Sequence, residues 1–113
     1  KIFLIYHSMK NGLNIVSSMG SGGKIKAEMV KVSDISKSFN CTLARILRKK
    51  LHRLGVYDGF KVVFSSEKSP KDAVIIDDSE PNKKSIVGTI SYMPAIFGCL
   101  CASVAINDIL DKA

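Results

Sequence analysis

Residues 14 to 24 read NIVSSMGSGGK, and the fold turns on that stretch. Ile15 and Val16 form a short apolar run, Ser17-Ser18-Met19 follows, and Gly20, Gly22 and Gly23 make a turn. A buried strand reads this way when it ends where the backbone must pass close to another group, because glycine leaves no Cβ in the way and accepts positive φ. The strand is expected over Leu13 to Ser18. The downstream segments then read as structure that supports or flanks its end.

The turn is not a phosphate loop. Ser18 stands where that pattern needs its first Gly, and Lys24 is followed by Ile25 rather than Ser or Thr. Nor is it a dinucleotide fingerprint: Gly20 and Gly22 fit, but Ile25 occupies the place of the last Gly. As an isolated motif it is a structural turn. Its functional reading is a turn at the carboxyl end of a strand, which is where open α/β sheets bind ligands.

Upstream, KIFLIYHSM (residues 1 to 9) puts Ile2, Ile5 and Tyr6 on one helical face, with Asn11-Gly12 as a stop signal; a strand over Ile2 to Tyr6 competes with this. Helix, short loop and strand make half of a βαβ unit. Downstream, Met29 to Ile35 alternates like a half-buried strand, and Ser36 to Asn40 is a loop. Thr42 to Leu54 is the clearest helix: Leu43, Ile46, Leu47, Leu51 and Leu54 recur at helical spacing. Asn40 or Thr42 can cap its start, and Gly55 stands at the C′ position. Its other face carries Arg45, Arg48, Lys49, Lys50, His52 and Arg53.

The run Val62-Val63-Phe64 predicts a strand over Gly59 to Ser66 that is buried on both faces. Glu67 to Lys84 is polar and reads as a surface loop with an acidic tip at Asp77, Asp78 and Glu80; Ala73 to Ile76 is a candidate edge segment. Ser85 to Ser91 reads as a short strand or an extended approach to the next helix. Pro94 suits the first turn of a helix that runs to Asp111. Small residues at Ala95, Gly98, Ala102, Ser103 and Ala105 would let another backbone approach it. The apolar stretch from Met93 to Ile106 is shorter than the roughly 18–20 residues a membrane span needs, so it reads as a buried helix with no membrane partner.

Composition sets the outer bounds. The 113 residues suit one small domain or a piece of a larger one. A net charge of +7, from 17 basic and 10 acidic residues, favours a polyanionic partner. The cations along one helix face read equally as a solvated amphipathic face or as a match to a phosphate backbone track, and the lack of interleaved aromatics argues against base reading. Cys41, Cys99 and Cys101 are an odd set without a disulfide pattern, so reduced thiols and a cytoplasmic setting are expected. Cys99 and Cys101 point about 200° apart on a helix and cannot clamp one ion, so core packing is their expected role. Cys41 sits at the start of the basic helix, where the dipole and Arg45 would activate an exposed thiol. The blander reading is a small apolar residue at a helix start. No metal set has recognisable spacing.

Three segments together carry a resemblance: SSMGSGGKIKAEMVKVSDISKS (17 to 38), TLARILRKKLHRLG (42 to 55) with KVVFSSE (61 to 67), and GTISYMPAIFGCLCAS (88 to 103). In order and spacing they resemble the C-terminal half of the bacterial tRNA threonylcarbamoyladenosine dehydratases, in the ThiF/MoeB/HesA group related to ubiquitin-activating enzymes. The resemblance implies the C-terminal half of a Rossmann-like α/β fold, a mixed sheet flanked by helices, in a chain that is a fragment and inactive alone. It implies a homodimer or other self-association, ATP and Mg²⁺ as cofactors of the parent, and tRNA as substrate. The carboxylate of threonylcarbamoyladenosine next to the anticodon is activated and closes to a cyclic form. The family's ATP loop and Mg²⁺-binding Asp lie upstream of the segment matching Lys1, so this fragment is not expected to bind the nucleotide tightly. By the same resemblance, Met19, Gly20, Ser21, Gly22 and Gly23 lie beside the nucleotide and substrate pocket. Asp34 and Lys37 match an Asp-x-x-Lys near the tRNA-facing side, and Arg45, Arg48 and Arg53 match the family's basic helix as tRNA phosphate contacts. No residue is assigned as a catalytic group. Two alternatives stand beside this reading: a ThiF- or MoeB-like adenylation of a sulfur-carrier or sulfur-donor protein, and a non-catalytic RNA-binding module.

Overall fold

A computed structural model of the chain describes residues 1–68, 74–75, 86–87 and 89–111. Helix α1 spans Ile2–Lys10, which settles the opening segment as helix rather than strand. It closes in a Schellman turn. Gly12 takes φ +68°, its N–H donates to the Met9 carbonyl at 3.2 Å, and the Leu13 N–H donates to the Ser8 carbonyl at 3.0 Å. Strand β1 is Val16–Ser18, shorter than the expected 13–18. Leu13 is consumed by the helix stop and is exposed, so pairing begins only at Val16.

Strand β2 (Val30–Asp34) follows, flanked by 3₁₀ turns at Ala27–Met29 and Ile35–Lys37. Helix α2 runs over Thr42–Arg53 and β3 over Lys61–Ser65. The helix ends in a second Schellman turn, with Gly55 at φ +83° and the Val56 N–H donating to the Leu51 carbonyl at 2.9 Å. The expected cap at its start is not made: Cys41 is the N-cap and no side chain caps it. Strand order is β1-β3-β2, with β1 parallel and β2 antiparallel to β3. Strands β4 (Val74–Ile75) and β5 (Ile86–Val87) pair with each other, and helix α3 spans Tyr92–Asp111. The acidic residues Asp77, Asp78 and Glu80 and most of the 67–84 loop lie outside the described residues.

The two faces of β3 explain its VVF run. Val62 and Phe64 point to one side and pack with Ile5 of α1 and Ala44, Leu47 and Leu51 of α2. Val63 points to the other side and packs with Met93 and Phe97 of α3. On α2 the buried stripe is 44, 47 and 51, so Leu43, Ile46 and Leu54 of the expected core face stay largely exposed. Ala44 is fully buried in that stripe.

Helix α3 corrects the expectation of a buried helix. Only Met93 and Phe97 are buried, while Ile106, Ile109 and Leu110 are exposed. Cys99 is exposed, against the expectation of core packing, whereas Cys101 is half-buried and packs against the cluster of Val63, Met93 and Phe97. At 20 residues and a mean hydropathy of 1.7, the helix also reaches the span length that the Met93 to Ile106 stretch alone lacks. Pro94 does sit in its first turn.

Candidate functional site

The C-terminal ends of β1 and β3 and the N-termini of α2 and α3 meet at one edge of the sheet. β1 and β3 are parallel, so their carboxyl ends lie together; β2 leads the chain away from that end, and residues 35–41 bring it back to where Asn40 reaches the Ser66 carbonyl and α2 begins. The turn after β1 is pinned there. Its Met19 N–H donates to the Val63 carbonyl at 2.8 Å. A Cβ placed on Gly20 would stand 3.8 Å from the Cβ of Leu43, in ordinary contact with the first turn of α2. Gly23 takes φ +75°, a conformation that suits glycine.

Lys24 closes the turn, and no sequence pattern singles it out. It is 3% exposed, and its Nζ donates to the Asn40 carbonyl at 2.6 Å and to the Glu67 carbonyl. Glu67 is 5% exposed, and its Oε2 accepts from the N–H groups of Ile25 (2.7 Å) and Lys26 (3.1 Å). Asn40, in the left-handed region at φ +56°, donates from Nδ2 to the Ser66 carbonyl at 2.8 Å. Three segments are thereby laced together: the glycine turn, the entry to α2 and the exit from β3. Burial lowers the pKa of Lys24, while the sulfur of Cys41 and the Glu67 carboxylate oppose that shift. The hydroxyl of Tyr92, at the head of α3, donates to the Ile25 carbonyl and joins α3 to the same edge.

Beside this network lies a shallow depression of about 210 Å³, lined by Asn40, Cys41, Thr42, Arg45 and Arg48. The first-turn N–H groups of α2 open there without a side-chain cap, and a helix N-terminus carries partial positive charge. Cys41 is 8% exposed, which favours its reading as a small apolar residue at the helix start. Arg48 is half-buried and donates from Nη1 to the Ser38 carbonyl at 2.8 Å and to the Ser38 hydroxyl. Arg45 and Arg53 are exposed, and Lys49 and His52 share the face of Arg45 at helical spacing. Lys49 therefore belongs with the exposed cationic face, a position that the basic face of α2 already contained.

Asp34 and Lys37 occupy the opposite end of β2 from Val30, where the chain leaves the sheet. Asp34 Oδ2 accepts from the Ser36 N–H at 3.0 Å and the Ser36 hydroxyl at 2.7 Å, and Oδ1 accepts from the Gly59 N–H at 2.8 Å. Partial burial pushes its pKa up, but these donors and the Lys37 charge outweigh that and hold it below the usual carboxylate value. Lys37 is exposed. The expected site residues thus fall in three places: residues 19–23, Arg45 and Arg48 stand at the strand-end edge, Asp34 and Lys37 stand apart from them, and Arg53 closes α2 at its far end.

The edge offers backbone N–H groups, a helix N-terminus and guanidinium groups, which suit a phosphate at its rim. It does not enclose a nucleotide. Among the described residues no three His, Cys, Asp or Glu side chains come together to hold an ion.

This arrangement defines an α/β module of the open-sheet kind, with its candidate ligand edge at the carboxyl ends of the parallel strands. A scan against protein-family models finds no match. The relatives are specific nonetheless. Over 99% of its length the chain is 29% identical to tRNA threonylcarbamoyladenosine dehydratase 2 of Saccharomyces cerevisiae, covering 29% of that protein. Over 97% of its length it is 28% identical to tRNA threonylcarbamoyladenosine dehydratase of Bacillus subtilis, covering 46% of it. The structure of E. coli tRNA N6-threonylcarbamoyladenosine dehydratase, TcdA, in complex with ATP superposes with a TM-score of 0.81 at 26% identity, over 98% of this chain and 43% of that one. The resemblance read from the three segments is therefore borne out, and so is the α/β fold class, as a partial fold. The chain spans less than half the length of these relatives.

Proposed function

We propose that this chain forms the C-terminal part of an ATP-dependent tRNA threonylcarbamoyladenosine dehydratase. The observation that carries the reading is the match along nearly the whole chain, in sequence and in structure, to TcdA, which was solved with ATP. In this reading Met19 to Gly23 shape one wall of the nucleotide and substrate pocket, held by the Lys24–Glu67–Asn40 network. Arg45, Lys49 and Arg53 track tRNA phosphates. Arg48 and Asp34 act in a supporting way, since Ser38 engages Arg48, and Ser36 and Gly59 engage Asp34. Lys37 adds charge on the tRNA-facing side. ATP with Mg²⁺, when bound, would supply the activation of the carboxylate for cyclisation; this chain's own residues bind and orient. A homodimer is the assembly that goes with this reading.

The test is an assay of the complete gene product on tRNA that carries threonylcarbamoyladenosine. Loss of one water from the modified nucleoside, seen by mass spectrometry and dependent on ATP, is the expected result. Unchanged tRNA together with adenylation of a small carrier protein would replace this reading with the sulfur-carrier one.

A further inference from the structure

Phe39 presents an exposed aromatic ring beside the cationic entry to α2, in the short loop between the second 3₁₀ turn and that helix. We propose that this ring is a stacking platform for an unpaired base of the tRNA anticodon loop, with Lys31 and Arg45 taking the flanking phosphates. The proposal rests on the dehydratase reading and adds to it a contact with the bases of the RNA.

The first argument is that the ring is exposed yet held in place. It is 48% exposed, so much of its apolar surface gains nothing from burial. Its ring meets that of buried Phe64 edge to face, with centroids 5.5 Å apart and planes at 66°. The residue before it, Ser38, is buried, and its N–H (3.2 Å) and hydroxyl (2.7 Å) both donate to the Ile35 carbonyl. The Ser38 carbonyl accepts from Arg48. The residue after it, Asn40, donates to the Ser66 carbonyl, and its own carbonyl accepts from buried Lys24. With both chain neighbours pinned, a ligand that lands on the ring orders little that is not already ordered.

The second argument is the charge around the ring. Lys31 Nζ lies 5.8 Å from the ring centroid. Lys31 is exposed and stands opposite Phe64 in the β2–β3 register, which puts it on the α2 face of the sheet. Arg45 and Arg48 line the depression that begins at Asn40, the next residue along the chain. The nearby Glu67 carboxylate is buried and engaged by the Ile25 and Lys26 N–H groups. An exposed aromatic among cations suits single-stranded RNA, whose phosphates take the charges while an unstacked base takes the ring. The flexible stem of Lys31 lets its ammonium pass from the ring to a phosphate as a base arrives. An acidic peptide would satisfy the cations and leave the ring unused. Every base has a π-face, so the stack adds affinity without reading sequence. That agrees with a cationic helix that lacks interleaved aromatics.

The experiment is a binding titration of the complete gene product with an anticodon stem-loop that carries threonylcarbamoyladenosine, repeated over a range of salt concentrations. Phe39→Ala should weaken binding roughly 5- to 100-fold. The salt slope should stay at its wild-type value, because no phosphate contact is lost. Phe39→Leu keeps an apolar contact for Phe64 but has no π-face, and it should weaken binding to a similar degree. Phe39→Trp should hold the wild-type affinity, and its added indole fluorescence should be quenched when the stem-loop binds. Wild-type affinity in both Phe39→Ala and Phe39→Leu would overturn the proposal and leave the tRNA reading standing. Wild-type affinity in Phe39→Leu alone would make the ring a plain apolar contact and overturn it as well. A wild-type protein that does not bind the stem-loop would remove the tRNA reading and the proposal with it.

Discussion

The two faces of the sheet are closed to very different degrees. On the α1–α2 face ten buried residues form one cluster, from Ile5 through Ala44 and Leu51 to Phe64. On the α3 face the buried apolar cluster among the described residues is Val63, Met93 and Phe97, and most of a 20-residue apolar helix is left open. Both sets of helices are apolar enough to pack. The α1–α2 side has two helices that cover each other and the sheet. The α3 side has one helix, whose length outruns the three short strands beneath it. An apolar helix is buried only as far as there is a second layer to meet it.

The sharpest test of that contrast compares truncations on the two faces. Phe64→Ala should destabilise by about 3–5 kcal/mol, since the cavity opens between α2 and the sheet, and a urea or guanidinium midpoint measures it. Equal tolerance of Phe64→Ala and Ile109→Ala would dissolve the distinction.

Lys24→Met comes next, because it leaves the Asn40 and Glu67 carbonyls without their buried donor. A loss of about 1–3 kcal/mol is expected, together with faster exchange at Ile25 and Lys26, the amides held by Glu67. A fully protected turn would show that the glycines hold themselves.

Asp34→Asn should cost about 1–2 kcal/mol at neutral pH, because it weakens the bonds to Ser36 and Gly59. The pH dependence has a definite sign. The folded carboxylate titrates below its ordinary value of 3.8, so the wild type keeps this contribution above that value and loses it as pH falls through the folded pKa. The variant should show a flatter acid limb in stability curves measured downward from about pH 5, and identical limbs would remove Asp34 from the account.

Neutralising the open cationic surface should hardly touch stability but should alter binding. Replacing Arg45, Lys49 and Arg53 together by Gln should lower the salt slope of tRNA binding by about 2–3, close to one for each phosphate no longer neutralised. An unchanged slope would move the tRNA track off α2. The smallest effect belongs to Ile109→Ala: at 70% exposure it should stay within about ±0.5 kcal/mol in this chain.

Much of the fold is legible in the sequence because local signals agree with one another. The stops at Gly12 and Gly55 both appear as Schellman turns, and the Val62-Val63-Phe64 run is buried on both faces. The glycine turn does stand at a strand end, among helix N-termini. The misses have one kind of cause. Leu43, Ile46 and Leu54 fit a helical stripe as well as Ala44 does, and only the approach of the sheet chose between the faces. Lys24 and Glu67 read as solvated charges in the sequence, because burial of a charge depends on partners 43 residues away. Asp34 fits a motif, while its carboxylate is engaged by Ser36 and by Gly59 from another loop.

The amino-acid sequence by itself determined the order of helices and strands, the turns that separate them, the cationic face of α2 and the resemblance to the dehydratases. These depend on periodicity, on glycine and proline conformations and on side-chain charge, all of which act over a few residues. Only the tertiary structure decided which side of α2 is buried, that Lys24 and Glu67 lock the strand-end edge, and that β1 and α3 end in open surface. Those outcomes depend on which long-range partners are present to exclude water and accept hydrogen bonds, and no local pattern encodes that.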